Sequence, residues 1–332
     1  MESIRAFEKS RERPLPARTT AWTGHRKEAS NSATREPPFR ITPFFQLHLL
    51  VVIFAATTIL GRLASVSAPV LITWRCLLAA AGAFLWVALK RDREIWLGRK
   101  AVAKLLGVGA VIGLHWLCLF GAVKLANVSI ALAGLATLSL FTAFTEPLLT
   151  RRRIRPFEVA LGLLVLAGIG LIAGVESGHL PGLGIALLSA LLAAVFMVLN
   201  RAIVVDGGDP MVMVGWEMLA ATAVCLLAIP VFDPAGLSAL AVSAAGDWLW
   251  ILLLAWVCTV FAQALTNRLL RSITAYDFNL AANFEPVYGI IAAAVIFREN
   301  GNLKPAFYLG TLAIVLANFL HPLLHKRFSR SA

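Results

Sequence analysis

The chain has 332 residues, of which 59% are hydrophobic and only 14% charged, far from the soluble balance of roughly half apolar and a quarter charged. That composition excludes an ordinary soluble enzyme and points to a protein solvated by lipid. A net charge of +12 would suggest nucleic acid in a soluble protein, but here the basic residues fall between long apolar runs, where membrane orientation accounts for them.

Residues 1–42 come first and are rich in Arg, Glu, Pro, Ser and Thr, with no apolar run long enough for a signal peptide. They read as a disordered cytoplasmic tail. Five acidic residues argue against an organellar transit peptide, and a misassigned start would also produce such a leader.

Ten apolar runs of membrane-crossing length follow: Phe44 to Gly61, Val70 to Leu89, Val102 to Val123, Val128 to Leu149, Phe157 to Val175, Leu183 to Val205, Met211 to Phe232, Trp248 to Leu269, Thr274 to Phe297 and Ala306 to Leu324. The connections are short and leave no room for an extramembrane domain. The expected fold is therefore an all-α integral membrane protein of ten transmembrane helices. Cys76, Cys118, Cys225 and Cys258 lie inside spans without metal-like spacing and read as packing residues. His321 and His325 lack acidic partners, so neither a metal nor a cofactor is expected.

With the N-terminus inside, 25 of the 30 Lys and Arg residues fall on one side of the membrane, including those of "KRDREIWLGRK" and "RRRIR". Arg62, Lys124, Arg298 and Lys304 fall on the other, and only Arg75 sits within a span. The positive-inside rule then puts both termini in the cytoplasm.

The halves of the chain echo one another. "TWRCLLAAAGAFL" in the second span pairs with "GWEMLAATAVCLL" in the seventh, aligning Trp74 and Arg75 with Trp216 and Glu217. "RIRPFEVALGLLVLAG" pairs with "NLKPAFYLGTLAIVLA", aligning Pro156 with Pro305. Five spans per repeat is an odd number, so the two halves, residues 43–176 and 177–326, are expected in inverted orientation. Residues 327–332 would form a short tail.

Several polar groups sit deep in these spans. Glu285, directly before Pro286, lies eleven residues into a span of 24, or about 17 Å deep at a rise of about 1.5 Å per residue. A charged carboxylate there costs on the order of 3 kcal/mol, and such groups face the bundle interior or a wet cavity. Glu285 could carry a proton or tie helices together. A second Glu-Pro, Glu146-Pro147, is not its symmetry mate: Pro156 follows Pro147 by nine residues, whereas Pro305 follows Pro286 by 19. Glu146 reads instead as an interfacial ion-pairing residue near Arg151.

Tyr276, Asn279 and Asn283 share a face of the ninth span, and Thr259, Gln263 and Asn267 recur at intervals of four on the eighth. Such stripes either line a cavity or bond helices together. His115 and Trp116 place a titratable group and an aromatic wall in the middle of the third span. Arg75 and Glu217, with Trp74 and Trp216 beside them, lie nearer opposite faces, as snorkelling anchors or as the lining of entrances. Gly109/Gly113 and Gly170/Gly174 have the small-xxx-small spacing of packed helices.

The five-plus-five pattern, "TWRCLLAA", "LFGAVKLANVSIALAGLATLS" and "LRSITAYDFNLAANFEPVYGIIAAAVIFREN" followed by "KPAFYLGTLAIVLAN" together resemble the drug/metabolite transporter superfamily, specifically its EamA-type members. The resemblance runs over roughly residues 44–324. It departs at the end of span four, where "RRRIR" puts Arg152 in a position acidic in the family, leaving Glu299 as the acidic residue of that kind.

The resemblance implies export of a small organic metabolite, with a cavity lined by spans one, three, four, six, eight and nine. Spans two and seven would move, and five and ten would be peripheral. Carried over by position, it favours His115, Trp116, Gln263, Asn267, Asn279, Asn283 and Glu285 as lining. The sequence-based expectation is a secondary transporter in a bacterial inner membrane, with lipid and a small-molecule substrate as partners and no nucleic acid. Substrate, coupling ion and oligomeric state are not specified by it. A membrane-embedded enzyme acting on lipid or isoprenoid, or a sensor without flux, are the competing readings. The spread of polar residues through the depth of the spans disfavours the enzyme.

Overall fold

The computed structural model describes residues 43–90, 94–151, 156–175, 177–242, 244–282, 284–298 and 304–328. Among the described residues there are helices and no strand, the solution that satisfies every backbone polar group within its own segment when water is absent. The residues 1–42, Arg152, Asn283 and Glu299 lie outside the described set.

In chain order the helices are α1 (Pro43–Leu63), α2 (Ala68–Leu89), α3 (Arg99–Leu125), α4 (Val128–Leu135), α5 (Leu138–Thr150), α6 (Pro156–Val175), α7 (Leu180–Val205), α8 (Pro210–Phe232), α9 (Ala245–Ala255), α10 (Ala262–Leu269), α11 (Ala275–Ala282), α12 (Phe284–Ile296) and α13 (Pro305–Phe328). A π-helical turn, Trp256–Phe261, joins α9 to α10. The proposed fourth span is thus α4 with α5, the eighth α9 with α10, and the ninth α11 with α12.

Local sequence sets these boundaries. The Asn127 side chain accepts from the Ile130 N–H at 2.8 Å and starts α4. Asp209 accepts from Met211 and Val212 N–H ahead of Pro210. Both supply acceptors to N–H groups that a helix start leaves unpaired. Pro69, Pro156 and Pro305 sit in first turns, where a missing N–H costs nothing. Arg151 turns left-handed at φ 58° and ends α5.

Among the described residues seven segments are long and apolar enough to cross a membrane: Phe45–Leu63, Ala68–Leu89, Arg99–Leu125, Val128–Thr150, Ser177–Val205, Pro210–Phe232 and Ala245–Leu269. The expected fifth, ninth and tenth spans contain shorter apolar helical stretches, Leu163–Ile172, Phe284–Ile296 and Pro305–Ala317. In the ninth, Glu285 and Pro286 occupy the first turn of α12, so the proline begins a helix segment. The carboxylate stands where the helix dipole favours negative charge. At the C-terminus α13 runs to Phe328, into the stretch expected to be a tail.

Helix packing pairs one half with the other. α2 lies along α8, α6 along α13, and α12 against α4. α3 packs on α7 and α8, while α9 and the π turn pack on α1 and α2. α7 contacts α4 and α5, as α12 contacts α1. Exchanging each span for the one five places away maps this set of pairings onto itself.

Glycines permit the closest approaches. A Cβ on Gly109 would come within 2.6 Å of the Glu217 Cα, and one on Gly113 within 3.0 Å of the Ala221 Cα, so α3 and α8 touch backbone to backbone. Gly168 and Gly310 do the same for α6 and α13, each facing the other's carbonyl oxygen. Gly170 faces open space, so the close contact on α6 is displaced by two residues from the spacing that suggested it.

The two ends of the bundle are tied by equivalent tryptophans. Trp74 Nε1 donates to the Leu240 carbonyl at 3.0 Å and its ring stands edge-on to Trp248. At the opposite end Trp216 Nε1 donates to the Ile95 carbonyl at 2.9 Å and its ring stands edge-on to Trp96. Asp247 secures the first end further by accepting from both the backbone N–H and the hydroxyl of Ser65.

Candidate functional site

Between the halves lies a cavity of about 80 Å³. Its walls come from α1 (Phe54, Thr57), α2 (Arg75), α3 (His115, Trp116, Leu119), α4 and α5 (Leu135, Leu138), α7 (Ala193, Phe196, Met197), span eight (Cys258, Gln263) and span nine (Phe278, Asn279, Ala282, Glu285). Among the described residues, spans five, seven and ten contribute nothing to it.

Arg75 is the most demanding group in this wall, because it is 1% exposed and a guanidinium does not deprotonate in a protein. The π turn in span eight provides its acceptors. Within that turn the Thr259 hydroxyl donates to the Leu254 carbonyl at 2.7 Å, five residues back, and its oxygen receives Arg75 Nε at 2.6 Å. Arg75 Nη2 donates to the Cys258 carbonyl at 3.1 Å. Single π turns recur at functional sites because they release carbonyls from the regular ladder. Below the guanidinium, the Trp116 ring lies 4.0 Å from Cζ and Phe120 lies at 5.7 Å, within cation–π range. Nη1 is buried without a hydrogen-bond partner among the described residues.

His115 is fixed across α3 and α7. Its Nδ1 lies 2.9 Å from both the carbonyl and the hydroxyl of Ser189, and that hydroxyl also reaches the His115 carbonyl at 3.0 Å. Its ring tilts against Phe196 at 5.4 Å. Asn279 donates to the Thr142 hydroxyl at 2.8 Å, and its own carbonyl oxygen has no partner among the described residues. Gln263 Nε2 is likewise buried without a partner among them. Glu285 is buried, and no described residue forms an ion pair or hydrogen bond with its carboxyl. Arg75 and Glu285 line one cavity without pairing with each other.

The structure therefore gathers His115, Trp116, Gln263, Asn279 and Glu285 with Arg75 around one space. It places the other expected residues elsewhere. Asn267 is fully buried near the end of α10 with neither amide atom bonded, and Tyr276 is half-buried at the start of α11, off the cavity wall. Trp74 and Trp216 form the end ties. Glu217 is enclosed beside α3 and α7, where Asn200 donates to one carboxyl oxygen at 3.4 Å. Asn283 lies outside the described residues.

Sequence reasoning did not single out Phe54, Phe196, Met197 or Phe278 as wall residues. In spans this apolar, nothing in residue type separates a cavity wall from a helix contact. A second hollow of about 560 Å³ lies near the end bearing Ser65 and Lys124 and is bordered by the exposed Leu125 and Phe232. Its walls are largely apolar and lack the convergent polar groups of the central cavity.

The sequence model of the EamA-like transporter family matches residues 43–174 and 180–321, two stretches that divide the chain into halves. One solved structure, described only as a crystal structure of protein, is similar with a TM-score of 0.59 and 19% identity. The similarity covers 87% of this chain and 99% of that one, and at that identity it speaks to the fold alone. No curated protein matches in sequence.

Proposed function

This chain belongs to the EamA-like transporter family, and from that premise we propose that it is a secondary transporter that exports a small organic metabolite by alternating access. Members of the family are transporters rather than enzymes, and the helices require a lipid surrounding. The supporting observation is the central cavity, which draws its walls from both halves of the chain and holds buried polar groups among apolar ones.

In this reading the halves, residues 43–176 and 177–326, are inverted five-span repeats that carry ten spans between them. Both termini face the cytoplasm, and the protein resides in a bacterial inner membrane. The mutual exchange of helix pairings and the charge asymmetry support that arrangement. His115, Trp116, Gln263, Asn279, Glu285 and Arg75 form the substrate cavity. Glu285, buried with no cationic partner among the described residues, is the proton carrier, loaded when the cavity opens to one side and discharged when it opens to the other.

Counterflow of labelled metabolites in proteoliposomes tests this function. Saturable exchange supports a carrier. Chemical conversion of the solute would show an enzyme, and saturable binding without flux would show a sensor.

A further inference from the structure

We propose that Arg75 is the anion-binding residue of the central cavity, and that the solute held there is a compact organic monoanion, its carboxylate or equivalent oxyacid group seated on Nη1. The inference rests on the transporter reading of the same cavity and names the chemistry of its substrate.

Three observations carry it. The cation is fully enclosed, yet its described partners are all neutral: the Thr259 hydroxyl, the Cys258 carbonyl and the Trp116 ring. A buried charge without a counter-ion is costly, and such groups in membrane spans mark substrate or ion pathways. The one carboxyl on the same wall, Glu285, does not pair with it. The guanidinium is also held in place, by Nε on Thr259, Nη2 on Cys258 and the ring face beneath, while Nη1, itself buried, has no acceptor among the described residues. A fixed donor with a vacant N–H end is pre-organised for a planar oxyanion.

The remaining walls set the rest of the solute. Phe54, Phe196 and Phe278 offer apolar surface, and a volume of about 80 Å³ suits a body of a few heavy atoms. A dianion would bring a second charge into a space with no second Lys or Arg among its described lining residues, so a single negative charge fits the donor set.

The test uses full-length protein in detergent, with propionate as the anionic probe and propionamide as its neutral isostere, and reads binding by saturation-transfer NMR. Wild type is expected to bind propionate at least about tenfold more tightly than propionamide, the preference one charge-assisted hydrogen bond provides. Arg75→Gln is expected to abolish that preference. Arg75→Lys, which keeps the charge and loses the Nη1 position, is expected to reduce it. Equal binding of the two probes by wild type overturns the proposal, as does a preference that survives in folded Arg75→Gln. If neither variant folds, the wild-type comparison decides by itself. Counterflow of a neutral metabolite, unaffected by propionate, would leave the transporter reading standing while this inference fails.

Discussion

Trp74 and Trp216 make the same pair of contacts at opposite ends of the protein. Each donates its indole N–H to a carbonyl in a connection belonging to the other half, Leu240 for Trp74 and Ile95 for Trp216. Each also sets its ring edge-on to a second tryptophan, Trp248 or Trp96. The tie that the first half makes to the second is thus repeated by the second to the first.

Trp74→Phe and Trp216→Phe remove the N–H and retain an aromatic ring. Each should lower stability by about 1 kcal/mol, the net worth of one such bond. The double variant should lose about the sum, because the two ties share no partners. Unfolding of the purified variants in detergent measures both, and strong non-additivity would show that the ends are energetically coupled.

Thr259→Val removes the hydroxyl that serves Arg75 Nε and the Leu254 carbonyl, at nearly constant volume. Leaving a buried charged donor short of an acceptor should cost about 1 to 3 kcal/mol. Thr259→Ser, which keeps the oxygen, should recover most of it. If valine is tolerated without loss, the π turn is not what holds the guanidinium.

Gly109 and Gly107 lie two residues apart on α3 and should respond oppositely to alanine. Gly109→Ala drives a methyl into the Glu217 backbone and should cost about 1 to 3 kcal/mol by forcing α3 from α8. Gly107 has nothing within 4 Å, so its alanine should be neutral or stabilising by up to about 1 kcal/mol. Thermal unfolding of the two variants side by side checks the packing directly.

Glu285→Gln should leave the protein folded and make flux independent of pH, because glutamine keeps the shape of the protonated carboxyl and cannot discharge a proton. Flux measured across a pH series in proteoliposomes decides the matter. A variant with unchanged pH dependence would remove Glu285 from the coupling step, and loss of folded protein would identify it as a helix tie.

Much of this architecture is legible in the sequence because lipid imposes it. Apolar runs, basic connections and the echo of "TWRC" in "GWEM" each follow from simple constraints on length, charge and repetition. The placing of Glu285 and Gln263 on one cavity wall also agrees with the polar positions picked out along their spans. Other features depend on tertiary geometry that no local pattern encodes. Arg75 looked like a residue near a membrane face, but a π turn whose Thr259 lies 184 residues away in the chain supplies its acceptors in the cavity wall. Trp74 and Trp216 stood out by composition, but that their indole N–H groups reach connections of the other half was not readable from it. Phe54, Phe196 and Phe278 were indistinguishable from packing residues because every neighbour is equally apolar.

Alternating access requires that the cavity between the halves open to each side of the membrane in turn. Ala193→Cys places a thiol on its wall, in a protein whose Cys76, Cys118, Cys225 and Cys258 are replaced by serine or alanine. The direct measurement is its modification by a membrane-impermeant thiol reagent added from one side and then, in a separate sample, from the other. Labelling from both sides is the predicted result. Labelling from one side only, or from neither, in folded protein would contradict alternating access.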